Sequence, residues 1–177
     1  NSSINFDFNK YTSPFIKLYA YRRRELLSAI LEKEKYYFPV FEKYLRKHGL
    51  PLELKYLAVV ESALNPQIKS RVGAAGLWQF MYPTGKMYDL NITSYQDDRF
   101  DVELSTDAAC KYLKFLFGMY NNWELALAAY NTGPGNVNKA IRRSGGKRTF
   151  YGIYPFLPRE TRAYYPLFVG ASVVLSN

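Results

Sequence analysis

The sequence predicts an all-α fold, and three observations carry that prediction. Apolar residues recur at spacings of three and four along most of the chain. Prolines that suit helix starts and glycines that suit helix stops punctuate it, and neither a Gly-rich hairpin series nor a βαβ rhythm interrupts the pattern. A length of 177 residues fits one hydrophobic core. Apolar residues at 48% and charged residues at 22% exclude a disordered chain, a collagen and a disulfide framework.

Residues 4–8 alternate apolar and polar and read as a short extended arm. From about Pro14 helical spacing sets in, and Arg22, Arg23 and Arg24 followed by Glu25, Glu32 and Glu34 form a solvated helix face with compensating charge. Phe38-Pro39 is expected to restart the helix, because the residue before a proline is pushed out of the α region. That helix is expected to end at Lys47-His48-Gly49, a basic last turn followed by a glycine stop. Pro51 opens the next helix, predicted to close near Asn65-Pro66. Its apolar stripe of Leu54, Leu57 and Ala58 continues by three and four onto Glu61, so a carboxylate falls on the inward face. Pro83 starts a short helical turn, and Asp98 or Asp101 caps a long helix whose buried side carries Ala109, Leu113, Leu116, Phe117 and Tyr120. Asn122 caps a helix over residues 123–130. The run Asn131-Thr132-Gly133-Pro134-Gly135 reads as a turn feeding a helix toward Arg143, which Gly145-Gly146 ends. A loose aromatic stretch over residues 150–157 precedes a last helix begun by Pro158.

The chemistry the chain can perform is narrowed by what it lacks. One His and one Cys cannot supply the usual zinc ligands, so no metal site is expected. His48 sits at a basic helix end, where it reads as a C-terminal cap, and Cys110 reads as a small core residue. No phosphate-cradling motif occurs, and Gly73, Gly76 and Gly85 do not match a dinucleotide fingerprint, so no cofactor is expected. A net charge of +9 invites an anionic partner without choosing one. No nucleic-acid motif accompanies the charge, and nucleic acid is not the expected partner. Glu61 remains. Residues 62–88 contain no Asp or Glu, so the loop that follows offers this acid no local carboxylate partner. Apolar walls would raise its pKa. A raised carboxylic acid is what protonating a glycosidic oxygen requires, and that chemistry normally uses a second carboxylate.

The residues that follow carry a family likeness. Glu61-Ser62, Asn65-Pro66, Ser70, Gly73-Ala74-Ala75-Gly76-Leu77-Trp78-Gln79 and the later Ala128-Ala129-Tyr130-Asn131-Thr132-Gly133-Pro134-Gly135 resemble the lytic transglycosylases of the soluble-Slt type. Leu77-Trp78-Gln79-Phe80, Asp98-Arg99 and Leu157-Pro158-Arg159-Glu160-Thr161-Arg162 are closest in form to the membrane-bound D-type group. The likeness runs from about Tyr36 to about Ala171. It implies a goose-lysozyme-like globular domain over residues 39–177, preceded by an N-terminal arm and helical extension over residues 1–38.

Carried over position by position, the resemblance makes Glu61 the sole catalytic acid and base. Ser70, Gln79, Trp78, Tyr130, Asn131 and Glu160 become substrate-binding residues, with Ser62, Gly76 and Gly133 structural parts of the motifs. Glu160 has an equal claim as a complement to the N-terminus of the last helix, and Gly76 as a backbone requirement. Tyr82 and Tyr154 are further candidates for a sugar cleft. The implied reaction cleaves the MurNAc-β-1,4-GlcNAc bond of peptidoglycan without water and leaves a 1,6-anhydro-MurNAc end. The rivals are a goose-type muramidase, with Asp89, Asp97, Asp98 or Asp101 holding a water, and an inactive glycan-binding module. The implied partner is the peptidoglycan glycan strand, met by a monomer in the periplasm. Membrane association is expected only through a segment outside this sequence, since no apolar run is long enough to span a bilayer.

Overall fold

The computed structural model describes Ile4 and residues 24–176. Residues 5–8 of the short arm and the helix start near Pro14 lie outside the described residues. Among those described, helices account for nearly all regular structure, and pairing between extended segments is limited to isolated antiparallel bridges such as Ala75 with Phe80.

Helix α1 (Arg24–Lys47) buries Ile30, Phe41 and Leu45. It runs straight through Pro39, so the expected restart at Phe38-Pro39 does not occur. The cost of a proline is a lost N–H and an orphaned carbonyl four residues back. Here that carbonyl belongs to Lys35, on an exposed stretch of the helix. The flanking turns are held from inside: Phe38 meets Tyr56 edge-on at 5.7 Å and Phe41 meets Trp78 at 4.9 Å. Gly49 ends the helix at φ +67°, as predicted. His48 does not cap it with its ring. Its Nε2 lies 2.6 Å from Oδ1 of Asp107, which also meets Lys47 at 3.2 Å. Burial works against the charged form of Asp107, yet His48, Lys47 and Lys111 outweigh it and hold the pKa at about 2.

A 3₁₀ turn (Leu52–Lys55) leads into α2 (Tyr56–Ser62). Leu54, Leu57 and Ala58 are fully buried, as their spacing predicts. The helix stops earlier than expected, because Ala63 and Leu64 both adopt left-handed conformations, φ 51° and 60°. Helix α3 (Tyr82–Met87) carries Pro83 in its first turn. Asp101, not Asp98, caps α4 (Val102–Tyr120) by accepting from the Leu104 N–H at 2.7 Å. Asn122 caps α5 (Trp123–Thr132), which extends two residues beyond its predicted end, so Asn131 and Thr132 are helical. Gly133 at φ 88° then redirects the chain into α6 (Pro134–Arg143). A single turn, α7 (Phe150–Ile153), and a 3₁₀ segment (Tyr154–Phe156) fill the aromatic stretch before α8 (Arg159–Ser176).

Helix α5 is the centre of the molecule. Trp123 and residues 125–129 are all buried, the mark of a helix apolar all round and enclosed by others. It packs against α4, α6 and α8, while α8 also covers α2 and α1 lies on α4. Cys110 is wholly buried in this core, and burial pushes its thiol up to about 12.

Candidate active site

A cleft of about 620 Å³ opens where α2, the loop after it, α5 and α8 meet, and Glu61 lines it together with Ser70, Gln79, Tyr130, Asn131 and Glu160. Five residues drawn from three separate stretches of sequence thus join Glu61 around one space. The chain reversal at Ala63 and Leu64 starts this assembly by turning the loop back across the end of α2.

The loop is tightly hydrogen-bonded. Ser70 donates its N–H to the Ala74 carbonyl at 2.8 Å, and its Oγ accepts from the Ala74 N–H at 3.0 Å. Ala75 and Phe80 exchange both backbone bonds at 3.1 Å, closing a small turn around Gly76. Gly76 sits at φ 82°, and a Cβ there would collide with the Arg99 carbonyl oxygen. The glycine is therefore demanded by backbone approach as well as by conformation. Gln79 is itself left-handed, φ 52°, and its side-chain amide donates to the Gly76 carbonyl at 2.8 Å. Ser62 is buried and donates to the Ala58 carbonyl at 2.8 Å, an anchor inside α2.

Arg99 fastens the loop from behind. Its guanidinium donates to the carbonyls of Gly73 and Phe80, both at 3.0 Å, and to Asp97 at 2.7 Å. Asp98, next to Arg99 in sequence, does other work: it accepts from the Asn91 N–H and the Gln96 amide, both at 2.8 Å. The donors of Arg99 hold the Asp97 carboxyl below its usual range despite partial burial. Asp89, Asp97, Asp98 and Asp101, the acids considered for a water-activating role, are all missing from the cleft lining.

Trp78 does not line the cleft either. It is fully buried, its indole N–H donates to Thr106 Oγ1 at 3.0 Å, and its ring packs on Phe41. A large ring with one donor is best satisfied in the core once the donor has a partner. Its backbone still serves the cleft: the Tyr130 hydroxyl donates to the Trp78 carbonyl at 2.7 Å. Tyr82 and Tyr154 also stand outside the lining, and Tyr112 and Tyr164 take the aromatic places. Gly133 lines the cleft at the α5–α6 junction.

Glu61 reaches the cleft from one side and is surrounded by protein on the others. Burial pushes its carboxyl from 4.5 up to about 8; Tyr164 pulls it partly back, and the nearby charge of Glu160 adds a smaller upward push. The Tyr164 hydroxyl is buried without a partner at ordinary hydrogen-bond length, yet it acts on Glu61 as a donor that favours the ionised form. Burial, followed by the charge of Glu61, raises the Tyr130 and Tyr164 hydroxyls well above their usual range, so both stay neutral. Glu160 is exposed in the first turn of α8. It is a second carboxylate in the cleft, arriving from the far end of the chain; the motif resemblance named it, while the acid-free stretch after Glu61 gives no local sign of it. Tyr164 is a residue that sequence reasoning missed, and its one sequence signal is that it follows Glu160 by a helical turn. Among the described residues no cluster of three or more His, Cys, Asp or Glu is placed to hold a metal.

This fold and cleft define a class. The sequence profile of the transglycosylase SLT domain matches residues 38–151, and the chain belongs to that family. It is 41% identical over 136 residues to membrane-bound lytic murein transglycosylase D of Escherichia coli K12, covering 75% of this chain and 30% of that protein. It is 33% identical to the soluble lytic murein transglycosylase of the same organism, covering 72% and 21%. The solved structure of the 70-kDa soluble lytic transglycosylase Slt70 from E. coli superposes with a TM-score of 0.65 at 30% identity, over 77% of this chain and 23% of that one. That enzyme's complex with bulgecin A gives 0.67 at 28% identity, over 80% and 24%. The all-α, lysozyme-like fold is the one these structures share. The chain spans less than a third of the length of these relatives.

Proposed function

We propose that this domain is a peptidoglycan lytic transglycosylase, cleaving the MurNAc-β-1,4-GlcNAc bond and leaving a 1,6-anhydro-MurNAc end, with Glu61 as acid and then base. The observation that carries the proposal is the Glu61 carboxyl itself, set in a cleft and protonated up to about pH 8. At neutral pH it starts as an acid and donates to the leaving glycosidic oxygen. The carboxylate left behind is poorly solvated and a strong base for its surroundings, suited to take the proton from the C6 hydroxyl of the same sugar as O6 closes on C1. The substrate's own N-acetyl group stabilises the charge that develops between the two steps, so no second carboxylate is needed. Intramolecular closure has a high effective concentration and outruns water while the sugar is held in place.

Ser70, Gln79, Tyr130 and Asn131 are proposed to hold the sugar, with the neutral Tyr164 hydroxyl supporting the ionised stage of Glu61. The division into an extension over residues 1–38 and a catalytic domain over residues 39–177 belongs to the same proposal, as does a periplasmic location. The relatives are named as soluble and as membrane-bound enzymes. No helix among the described residues is long and apolar enough to cross a membrane. One observation favours a second reading. Glu160 lines the same cleft, and a carboxylate there can hold a water, as in a hydrolysing muramidase. Mass spectrometry of products from purified sacculi tests the proposal. Anhydro ends that disappear with Glu61→Gln support it; reducing ends with water added overturn it in favour of hydrolysis.

A further inference from the structure

A second cavity, of about 530 Å³, lies between α6 and the segment that leads into α8. Its chemistry is lopsided. Lys139, Arg143 and Arg162 contribute three cations and Asn136 an amide, while the lining includes no Asp or Glu. Asn136, Lys139 and Arg143 follow one another at three and four residues, so they form one stripe on the outer face of α6. Val137 and Ala140, on the other face, are buried. Neither Lys139 nor Arg143 has a carboxylate partner among the described residues. A basic residue in the last turn complements a helix C-terminus, which accounts for Arg143 but not for Lys139 in mid-helix. Arg162 is anchored by donating to the Leu157 and Pro155 carbonyls at 3.1 and 2.9 Å, and its guanidinium retains further N–H donors. Pro155, Phe156 and Pro158 give the opposite wall an apolar surface. A ligand that satisfies both walls combines an anionic group with small apolar ones.

The two cavities share structural walls. Asn136 donates to the carbonyl and hydroxyl oxygens of Thr132 at 3.1 and 2.9 Å, and Thr132 lines the cleft of Glu61. On the other side the first turn of α8 carries Glu160 into the cleft and Arg162 into the basic cavity. The two cavities are therefore neighbours, joined through Thr132 and Asn136 and through the first turn of α8. We propose that the cavity binds the carboxylates of the peptide branches borne by the glycan strand, with Lys139 and Arg143 as the recognising cations. The inference rests on the substrate reading above and adds the part of the substrate that is read. Phosphate polymers match the cations but not the proline and phenylalanine wall.

The test uses the whole chain and the double variant Lys139→Ala/Arg143→Ala. Both positions are exposed and neither lines the Glu61 cleft. Calorimetric or NMR titration with a stem tetrapeptide is expected to give binding at least roughly tenfold stronger with free carboxylates than with amidated ones, and the double variant is expected to lose that difference. On glycan strands carrying peptides the variant's KM is expected to rise about tenfold, with kcat held and with no change on peptide-stripped strands. Equal affinity for free and amidated peptide, or an unchanged double variant, overturns the proposal. So does an equal rise in KM on both strands, or binding of an oligonucleotide with no response to the peptide. If the wild-type chain cleaves neither strand, the activity reading fails, and the peptide titration still decides the cavity.

Discussion

Replacing Glu61 by Gln should make the protein more stable, by an amount that depends on pH. In the folded chain the carboxyl keeps its proton up to about pH 8, whereas unfolded it titrates near 4.5. The folded state binds this proton more tightly, so stability falls as pH rises between the two values. Below about pH 4.5 both states hold the proton and nothing is lost. Across the interval the loss grows by about 1.4 kcal/mol per pH unit, and above pH 8 it levels off at roughly 4 to 5 kcal/mol. Glutamine has the shape of the protonated acid and no proton to lose. The variant should therefore match the wild type at about pH 4 and exceed it by roughly 4 kcal/mol at about pH 9. For a chain of 177 residues each kcal/mol moves Tm by about 2 to 4 °C, which makes the expected gap about 10 °C. Thermal melts of both proteins from about pH 4 to about pH 9 at fixed ionic strength measure it, and the other titrating groups cancel in the difference. Parallel Tm curves, or a gap that opens toward acid, would refute the claim that the carboxyl is desolvated. On the proposed mechanism the same titration sets the wild-type rate, which should decline above about pH 8 as the acid form is lost.

Three other substitutions separate the roles of neighbouring residues. Tyr164→Phe removes the donor that favours ionised Glu61 and should raise the Glu61 pKa further; a pH–rate profile should show its alkaline limb moved upward and kcat lowered about tenfold, and an unmoved limb would remove Tyr164 from the site. Trp78→Ala should cost about 3 to 5 kcal/mol of stability in denaturant titrations while leaving KM for glycan unchanged in the remaining folded protein, since the ring is in the core; a raised KM with normal stability would return it to the cleft. Gly76→Ala, forced into a left-handed conformation against the Arg99 carbonyl, should lose about 3 kcal/mol or more and yield little folded protein by circular dichroism.

Local chemistry explains which parts of this fold the sequence made legible. The caps at Asp101 and Asn122 and the stop at Gly49 are decided within a few residues, and so is the inward phase of Glu61 set by Leu54, Leu57 and Ala58. Pro39 misleads because its local cost is outweighed by Phe38 and Phe41, whose partners Tyr56 and Trp78 lie far along the chain. Trp78 misleads for a related reason. Motif position says which stretch approaches the cleft, but the left-handed backbone at Gln79 and the Thr106 acceptor decide that the indole turns inward. Tyr112 and Tyr164 join Glu61 from helices at least fifty residues away, and no spacing rule connects them to it; Glu160 is as distant and is reached only through the motif resemblance.

The arrangement of these distant residues bears on the proposal that one acid serves twice. Arg99 spends its donors on the Gly73 and Phe80 carbonyls, which pins the loop that carries Ser70 and Gln79 against the end of α2. The loop brings hydroxyl, amide and backbone groups to the front of Glu61 and no charge. Tyr130 and Tyr164 are held neutral by burial and by the carboxylate's own field. Glu160, the other acid of the cleft, is exposed to solvent. In the proposed reaction, a proton leaving Glu61 for a glycosidic oxygen thus has no competing buried base to fall to among the described residues of the cleft, and the carboxylate it leaves has no buried cation there to settle beside. Both conditions favour its return from the substrate's own hydroxyl, and both follow from what the fold keeps out of the cleft as much as from Glu61.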